Sequence, residues 1–193
     1  MKNKPILFLV IVFTFTLSCK PKNPIVLMET ELGEIEIELF QKEAPLTVAN
    51  FLEYVHRGLY ADSKFYRVVT MDNQPNNDVK IEVIQGGLGW GEQIERLDSI
   101  PMETTEETGI KHLNGTISMA RSTPGSATSE FFICVGEQPE LDFNGLRNPD
   151  GQGFAAFGKV IKGMDVVHKI HQSPSKNQLL NPEIIIHHIT KSK

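Results

Sequence analysis

The most regular pattern of hydrophobic and polar positions lies in residues 34–40, where isoleucine and leucine alternate with three glutamates. Successive side chains of a β-strand point to opposite faces, so this alternation predicts a strand with one face in a protein core and the other in water. A second apolar run, residues 25–30, precedes it across Leu32-Gly33. The chain is therefore predicted to begin with two adjacent strands.

Two segments show the spacing of amphipathic helices. After Ala44-Pro45, an apolar stripe continues to Val55 and ends before Gly58, and a second stripe lies within residues 164–171. Further strands are predicted over residues 64–70, 79–84, 115–120, 130–135, 154–160 and 183–190. Residues 86–114 carry glycines and acids with little periodicity. Many short strands and two helices favour a mainly β domain, a closed barrel capped by the helices.

The composition fits one ordinary globular domain. The chain has 193 residues, of which 40% are hydrophobic and 22% charged, and its formal net charge is −5. A domain of this size can bury a sizeable core. The acidic balance lacks the basic footprint of a nucleic-acid-binding protein, so we expect no nucleic-acid partner.

The first eighteen residues have the layout of a secretory signal: Lys2 and Lys4 precede an apolar run over residues 6–13, and Ser18 stands directly before Cys19. This junction resembles the lipobox of bacterial lipoproteins, although Thr16 stands where that pattern prefers leucine. The resemblance implies that residues 1–18 are a signal peptide and that Cys19 is lipidated. A plain cleaved signal with an incidental cysteine, or an uncleaved anchor, remain the alternatives.

Residues 19–24 contain two prolines and are predicted to form a short tether before the domain, residues 25–193. At this length the tether reaches about 20 Å, which would keep the domain close to a membrane surface. The expected location is therefore that of an exported, membrane-anchored lipoprotein facing the periplasm or the cell exterior. Cys134 is the only other cysteine and lies in an apolar run, so we expect a buried free thiol and no disulfide framework.

Several kinds of chemistry lack their sequence signals. His168 and His171 are three residues apart without an adjacent carboxylate pattern, so we expect no metal site. No nucleophile-elbow pattern surrounds Ser118, Ser126 or Ser129, which makes a hydrolase a minority interpretation. The glycine-rich residues 86–91 lack the dinucleotide-binding spacing, and we expect no cofactor.

Five segments, in order along the chain, resemble the cyclophilin family of peptidyl-prolyl cis-trans isomerases, most closely its bacterial periplasmic branch. They are Phe-Tyr-Arg-Val-Val at residues 65–69, Ile-Gln-Gly-Gly at 84–87, Gly-Thr-Ile-Ser-Met-Ala-Arg at 115–121, Ser-Ala-Thr-Ser-Glu-Phe-Phe-Ile at 126–133, and Phe-Gly-Lys-Val-Ile-Lys-Gly-Met-Asp-Val-Val at 157–167. The resemblance implies an eight-stranded antiparallel barrel with two helices at its ends. It also implies an enzyme that binds X-Pro segments and speeds their isomerisation, with unfolded or exported proteins as partners.

The same resemblance assigns roles to individual residues. Arg67 would donate a hydrogen bond to the twisted amide, Gln85 would hold the substrate backbone, and Phe132 would form the floor of the proline pocket. Further substrate-binding positions are implied for Val83, Ala120, Arg121, Leu141 and Phe154. Of these, Ala120 and Arg121 would present backbone groups to the residues before the proline.

The chain departs from the family pattern at the rim of the pocket. Glu82 stands in place of an apolar residue, Glu140 replaces a frequent aromatic residue, and Phe154 replaces a histidine. We therefore expect altered substrate preference and weak binding of cyclosporin. A peptide-binding, chaperone-like module with little turnover is the alternative function. The domain is expected to be a monomer.

Overall fold

The strands form a closed barrel in the computed structural model, which describes residues 22–89 and 98–192. The strands are β1 (Ile25–Thr30), β2 (Gly33–Leu39), β3 (Ser63–Val69), β4 (Val83–Gly87), β5 (Thr116–Met119), β6 (Phe131–Cys134), β7 (Ala155–Lys162), β8 (Ser175–Lys176) and β9 (Leu179–Lys191). The helices are α1 (Pro45–His56), α2 (Thr105–Thr108) and α3 (Met164–His171), and Pro139–Leu141 form a single 3-10 turn.

Eight antiparallel strands close the ring in the order β1-β2-β7-β5-β6-β4-β3-β9, and pairing of β9 with β1 completes it. The two-residue β8 pairs with β9 as the second arm of a hairpin. The prediction of a mainly β, eight-stranded antiparallel barrel with two principal helices is confirmed. The additional α2 spans four residues and begins in a capping box, in which the side chains of Thr104 and Glu107 each accept a backbone N–H of the other.

The interior of the barrel is one apolar core. It contains the inward-facing residues of the strands and the buried stripe of α1, with the rings of Phe51, Tyr60 and Phe131 packed at centroid distances of 5.3 to 5.8 Å. Burial of each such ring stabilises the fold by roughly 1.5 to 3 kcal/mol. Pro45 opens α1, at the position where the missing N–H of proline is tolerated.

A second, smaller apolar cluster lies on the other face of the sheet. Alternation along β6 places Phe131 and Ile133 in the barrel core, and Phe132 and Cys134 in this outer cluster. Cys134 is a free, buried thiol, as expected, and its burial raises the pKa of the thiol. The outer cluster therefore forms an apolar floor outside the main core.

The strand predicted over residues 79–84 is wrong in position, because β4 begins at Val83 and continues to Gly87. Gly86 allows this extension: a Cβ there would lie 2.7 Å from the carbonyl oxygen of Lys64 on the neighbouring β3. Glycine thus permits a close approach of the two backbones that another residue would prevent. Gly86 and Gly87 are therefore part of β4.

The predicted signal peptide, residues 1–18, and the predicted lipidation site Cys19 lie outside the described residues. Within the ranges 22–89 and 98–192, no helix combines the length and apolar character needed to cross a membrane.

Candidate active site

Three adjacent strands bring Arg67, Gln85 and Phe132 into one row across the barrel. Arg67 on β3 pairs with Gln85 on β4, and Gln85 pairs with Phe132 on β6. Directly opposed residues on neighbouring antiparallel strands have Cβ atoms about 4.5 to 5.5 Å apart. Residues that are far apart in the sequence are therefore held side by side by backbone hydrogen bonds.

A β-bulge in β3 aims the arginine of this row. Phe65 pairs with Gly86 and Arg67 pairs with Gln85, so Tyr66 is the extra residue between them. Phe65 and Val68 point into the barrel core. The bulge consequently leaves both Tyr66 and Arg67 on the outer face, where strict alternation would have turned one of them inward.

A chain of hydrogen bonds fixes the side chain of Gln85. Its Oε1 accepts from Nη1 of Arg67 at 2.7 Å, and its Nε2 donates to the hydroxyl of Tyr66 at 2.9 Å. Tyr66 in turn donates to the buried carboxylate of Glu130 at 2.6 Å. Burial and the nearby charge of Glu130 raise the pKa of Tyr66, which keeps its hydroxyl protonated as a donor. The amide orientation of Gln85 is thus set from both ends.

Gln178 holds the other edge of the Arg67 guanidinium. Its Oε1 accepts from Nε of Arg67 at 3.0 Å and from Nη2 at 2.6 Å, while its Nε2 donates to the carbonyl oxygen of Asn73 at 3.0 Å. Gln178 lies in the turn between β8 and β9 and has a left-handed backbone conformation, with φ of +71°. This conformation is unfavourable for residues other than glycine.

Arg67 remains a cation between these neutral partners. Burial lowers its pKa, and the nearby charge of Arg147 lowers it further, yet arginine stays protonated at any physiological pH. Among the described residues, no carboxylate lies within ion-pair distance of Arg67. One N–H of Nη1 and one of Nη2 are therefore left to donate to a bound molecule.

Beside this polar row lies an apolar pocket with Phe132 at its base. Phe154 packs edge-on against Phe132 with ring centroids 5.2 Å apart, and His112 stacks on its other side at 5.9 Å. Val83 and Leu141, both fully or almost fully buried, complete the walls. An apolar, aromatic-lined hollow of this kind suits a small ring such as that of proline.

The polar row and the apolar pocket open into one groove of about 440 Å³. All eight residues to which the sequence assigned catalytic or substrate-binding roles line it: Arg67, Val83, Gln85, Ala120, Arg121, Phe132, Leu141 and Phe154. A larger hollow, of about 740 Å³, shares Tyr66 and Leu179 with the groove but is not lined by Arg67, Gln85 or Phe132. The groove is therefore the candidate active site.

Ala120 and Arg121 meet the groove in different ways. The backbone N–H of Ala120 donates to the carbonyl oxygen of Glu130 at 2.8 Å, so the carbonyl oxygen of Ala120 is the group left for a substrate. The guanidinium of Arg121 makes two hydrogen bonds to Asp150, at 2.8 and 2.9 Å, and two to the carbonyl oxygen of Gly153. It also lies 5.1 Å over the ring of Phe154. Arg121 thus fixes one wall of the groove.

Behind Phe132, His112 links Asp142 to Ser118. Nδ1 of His112 lies 2.8 Å from Oδ1 of Asp142, and Nε2 lies 3.0 Å from Oγ of Ser118. Burial lowers the pKa of His112 despite its carboxylate partner, and hydrogen bonds from His112 lower the pKa of Asp142 despite partial burial. A neutral His112 therefore donates to an ionised Asp142 and accepts from Ser118.

Asp142, His112 and Ser118 are linked in the same sequence as the acid, base and nucleophile of a hydrolase triad, but the serine is not accessible to a substrate. Ser118 is 0% exposed and His112 is 1% exposed, so no substrate carbonyl can reach the serine hydroxyl. The network instead fixes the imidazole that stacks on Phe132. In the described part of the chain, no group of three histidine, cysteine or acidic side chains is arranged to hold a metal ion.

Four residues of the site carry no sequence signal that identified them in advance: Tyr66, His112, Arg147 and Gln178. Tyr66 and Gln178 act through a bulge and a turn whose geometry depends on strand register. His112 reaches Phe132 from a loop. Arg147 lies between Leu141 and Phe154, outside the five segments that resemble the family. Tyr66 and Arg147 line the groove, whereas His112 and Gln178 contact Phe132 and Arg67, which line it, and only the tertiary structure brings these residues together.

Comparison with known proteins gives a consistent result. Residues 25–191 match the family model described as cyclophilin type peptidyl-prolyl cis-trans isomerase. A peptidyl-prolyl cis-trans isomerase of Acinetobacter baylyi is 41% identical over 154 residues, covering 79% of this chain and 74% of the relative. Peptidyl-prolyl cis-trans isomerase B of Escherichia coli is 33% identical over 174 residues, covering 87% of this chain and 99% of the relative.

Solved structures share the fold. A crystal structure of a cyclophilin type peptidyl-prolyl cis-trans isomerase from Cryptosporidium parvum superposes with a TM-score of 0.68, at 24% identity, covering 89% of this chain and 98% of the other. A second structure of that protein, in the presence of the dipeptide Ala-Pro, has a TM-score of 0.67. At this level of identity the likeness concerns the barrel fold.

Proposed function

The chain belongs to the cyclophilin family of peptidyl-prolyl cis-trans isomerases, and we propose that Arg67 catalyses the isomerisation of X-Pro bonds bound in its groove. The observation that carries this proposal is the row Arg67–Gln85–Phe132, in which a fixed cation adjoins an apolar pocket. A proline ring in the pocket over Phe132 would bring the rotating amide beside the guanidinium.

The reaction requires a twisted amide, and no covalent bond is broken. Resonance in the planar amide gives a rotation barrier of about 18 to 20 kcal/mol. When the bond twists, the proline nitrogen regains a lone pair that can accept a hydrogen bond. An N–H of Arg67 directed at this lone pair stabilises the twisted state more than either planar state, which is the condition for catalysis.

The hydrogen bonds around Arg67 support this role by limiting its motion. Gln85 and Gln178 together occupy three of its five N–H donors, and both partners are neutral. A carboxylate partner would draw the cation away from a weak acceptor such as an amide nitrogen. Amide partners orient the guanidinium without neutralising it, so its charge remains available in the transition state.

The substrate backbone has its own contact points in this proposal. The carbonyl oxygen of Ala120 accepts an N–H from the residues before the proline, as an added strand would. Ala120 lies beside Glu130, and Gln85 lies beside Phe132, two residues further along β6. A peptide that contacts both Ala120 and the pocket over Phe132 therefore runs along β6. We propose that the natural substrates are unfolded segments of exported proteins, reached by a domain tethered through lipidated Cys19.

Exchange spectroscopy by NMR on a short X-Pro peptide tests the catalytic proposal, because it reports interconversion without a coupled protease. The wild-type protein is expected to accelerate exchange, and Arg67→Ala is expected to lower kcat/KM by about 100-fold or more, as for loss of a transition-state donor. Lys80→Ala removes an exposed cation outside the groove and serves as the matched control. Binding by the wild-type protein without acceleration would instead establish the peptide-binding module.

A further inference from the structure

The groove is positively charged although the chain as a whole carries a formal charge of −5. Of the described residues that line it, three are arginines and none is an aspartate or a glutamate. Arg121 is neutralised by Asp150, whereas Arg67 and Arg147 have no carboxylate within ion-pair distance among the described residues. Two cations without an ion-pair partner therefore line the same groove. The rim residues Glu82 and Glu140 do not line it, and the Glu140 carboxylate accepts the backbone N–H of Leu146 at 2.8 Å.

Arg147 differs from Arg67 in the part of its guanidinium that is free. Its two hydrogen bonds both leave from Nη1, to Oε1 of Gln74 at 3.0 Å and to the carbonyl oxygen of Val79 at 2.6 Å. Its Nε and Nη2 have no hydrogen-bond partner among the residues that the structure describes. This Nε–Nη2 edge presents two parallel N–H groups, the geometry that binds a carboxylate in bidentate fashion.

In Arg67 the corresponding edge is already occupied by Gln178. The two arginines therefore offer different donors. Arg67 has one free N–H on Nη1 and one on Nη2, whereas Arg147 has its complete Nε–Nη2 edge free. Partial burial of Arg147, which lowers its pKa, also means that an anion beside it is less screened by water than at an open surface.

The hydrogen bonds of Arg147, read together with the register of β4 and β6, indicate on which side of the proline pocket it lies. Ala120 is level with Glu130, Gln85 with Phe132, and Val83 with Cys134. Arg147 is bonded to Gln74 and Val79, in the segment that leads into β4 before Val83. It therefore lies beyond the Cys134 end of Phe132, opposite to Ala120.

We infer that Arg147 is a specificity-determining residue that binds the carboxylate of an aspartate or glutamate located after the proline of the substrate. This inference rests on the proposed function, which places the residues before the proline against Ala120. An acidic side chain on the other side then meets the open edge of Arg147. The enzyme is expected to prefer X-Pro segments followed within three residues by an acid.

The test compares peptides that differ only by Glu or Gln, with both termini blocked so that no terminal charge interferes. The substituted position is the first, second or third after the proline, or the matching position before it. For at least one position after the proline, we expect the wild-type kcat/KM for the Glu peptide to exceed that for the Gln peptide by roughly three- to tenfold. Peptides substituted before the proline should show no such ratio.

Variants then assign the preference to one residue. Arg147→Gln should reduce the Glu/Gln ratio to about one, and Arg147→Lys should leave an intermediate ratio, because lysine keeps the charge but not the bidentate edge. Lys80→Gln, which removes a neighbouring exposed cation that does not line the groove, should leave the ratio unchanged. Because each ratio is internal to one variant, a general loss of folded protein does not alter it.

The inference is overturned if the wild-type ratio is one at all positions, if Arg147→Gln preserves it, or if the preference lies before the proline. Failure of the proposed function looks different: no peptide is isomerised, whatever its charge. In that case, titration of the protein with the same peptides still gives a Kd for each peptide. A difference in Kd between the Glu and Gln peptides that depends on Arg147 supports the subsite, and equal Kd values reject it.

Discussion

Gln178 offers a prediction in which activity and stability change independently. Replacement by Ala or by Gly removes the amide that accepts from Nε and Nη2 of Arg67. The two variants differ only in the Cβ methyl group, which changes the preferred conformation of the backbone. The backbone at position 178 has a φ of +71°, a left-handed conformation that is unfavourable for alanine and readily adopted by glycine. Loss of the amide and relief of strain can therefore be measured separately.

The expected magnitudes follow from these contacts. Without Gln178, Arg67 keeps only its bond to Gln85, so part of its side-chain rotational freedom, about 2 kcal/mol in total, returns. A penalty of about 1 to 2 kcal/mol corresponds to a fall in kcat/KM of roughly 5- to 30-fold for both variants. The glycine variant should nevertheless be more stable than the alanine variant by about 1 kcal/mol.

Three measurements decide the matter: kcat/KM by exchange NMR, the free energy of unfolding by urea titration, and the Nε–H resonance of Arg67, whose protection from solvent exchange should be lost in both variants. Equal loss of activity in the alanine and glycine variants, despite unequal stability, supports a positioning role for Gln178. Full activity in either variant, or activity that follows stability, would refute the reasoning.

Three further predictions concern other parts of the chain. The folded-state pKa values of His112 and Asp142 both lie below their ordinary values, so the unfolded chain binds more protons and stability falls with acidification. Between pH 7 and 5.5, where the His112 contribution dominates, the free energy of unfolding should drop by up to about 1 kcal/mol, and His112→Gln should remove most of this slope in urea titrations. Cyclosporin should bind weakly because Glu140 provides no aromatic wall, and a submicromolar Kd by calorimetry would contradict this. Mass spectrometry of the membrane fraction should find a lipid on Cys19 that is absent from Cys19→Ala, whereas an unmodified Cys19 would reject the lipoprotein prediction.

The barrel could be predicted because its strands obey simple alternation. Ile35, Ile37 and Leu39 point inward, as the spacing of glutamates between them indicates. The order of segments and their family resemblance then supplied the topology. The position of β4 could not be obtained in the same way, since Gly86 and Gly87 have no side chains to show a pattern and their strand conformation depends on the close approach of β3.

The candidate site was predictable where one residue type determines the chemistry. Arg67, Gln85 and Phe132 stand in short motifs whose resemblance assigned their roles, and the structure places them in one row. Local pattern could not foresee that Tyr66 shares the outer face with Arg67, because a bulge interrupts the alternation. The local pattern also could not predict the contact between Gln178 and Arg67, because it joins the turn between β8 and β9 to β3, far apart in the sequence.

The same limit applies to the charge of the groove. The overall balance of −5 gave no reason to expect a nucleic-acid footprint, and it also gave no sign that three arginines line one groove. Arg147 lies outside the five segments that resemble the family, and its neighbours Gln74 and Val79 lie some seventy positions earlier in the chain. Net charge describes the surface as a whole, and only tertiary contacts describe the field inside a groove.

The most direct test of the central claim reads binding and catalysis in the same spectra. An X-Pro peptide is titrated with wild-type protein and with Arg67→Ala, and both Kd and the exchange rate of the bound peptide are determined. If Arg67 acts on the twisted amide, the variant should bind within a few-fold of the wild-type Kd while its exchange rate at saturation falls by about 100-fold or more. An undiminished exchange rate at saturation would contradict the claim, because Arg67 would then only bind the substrate.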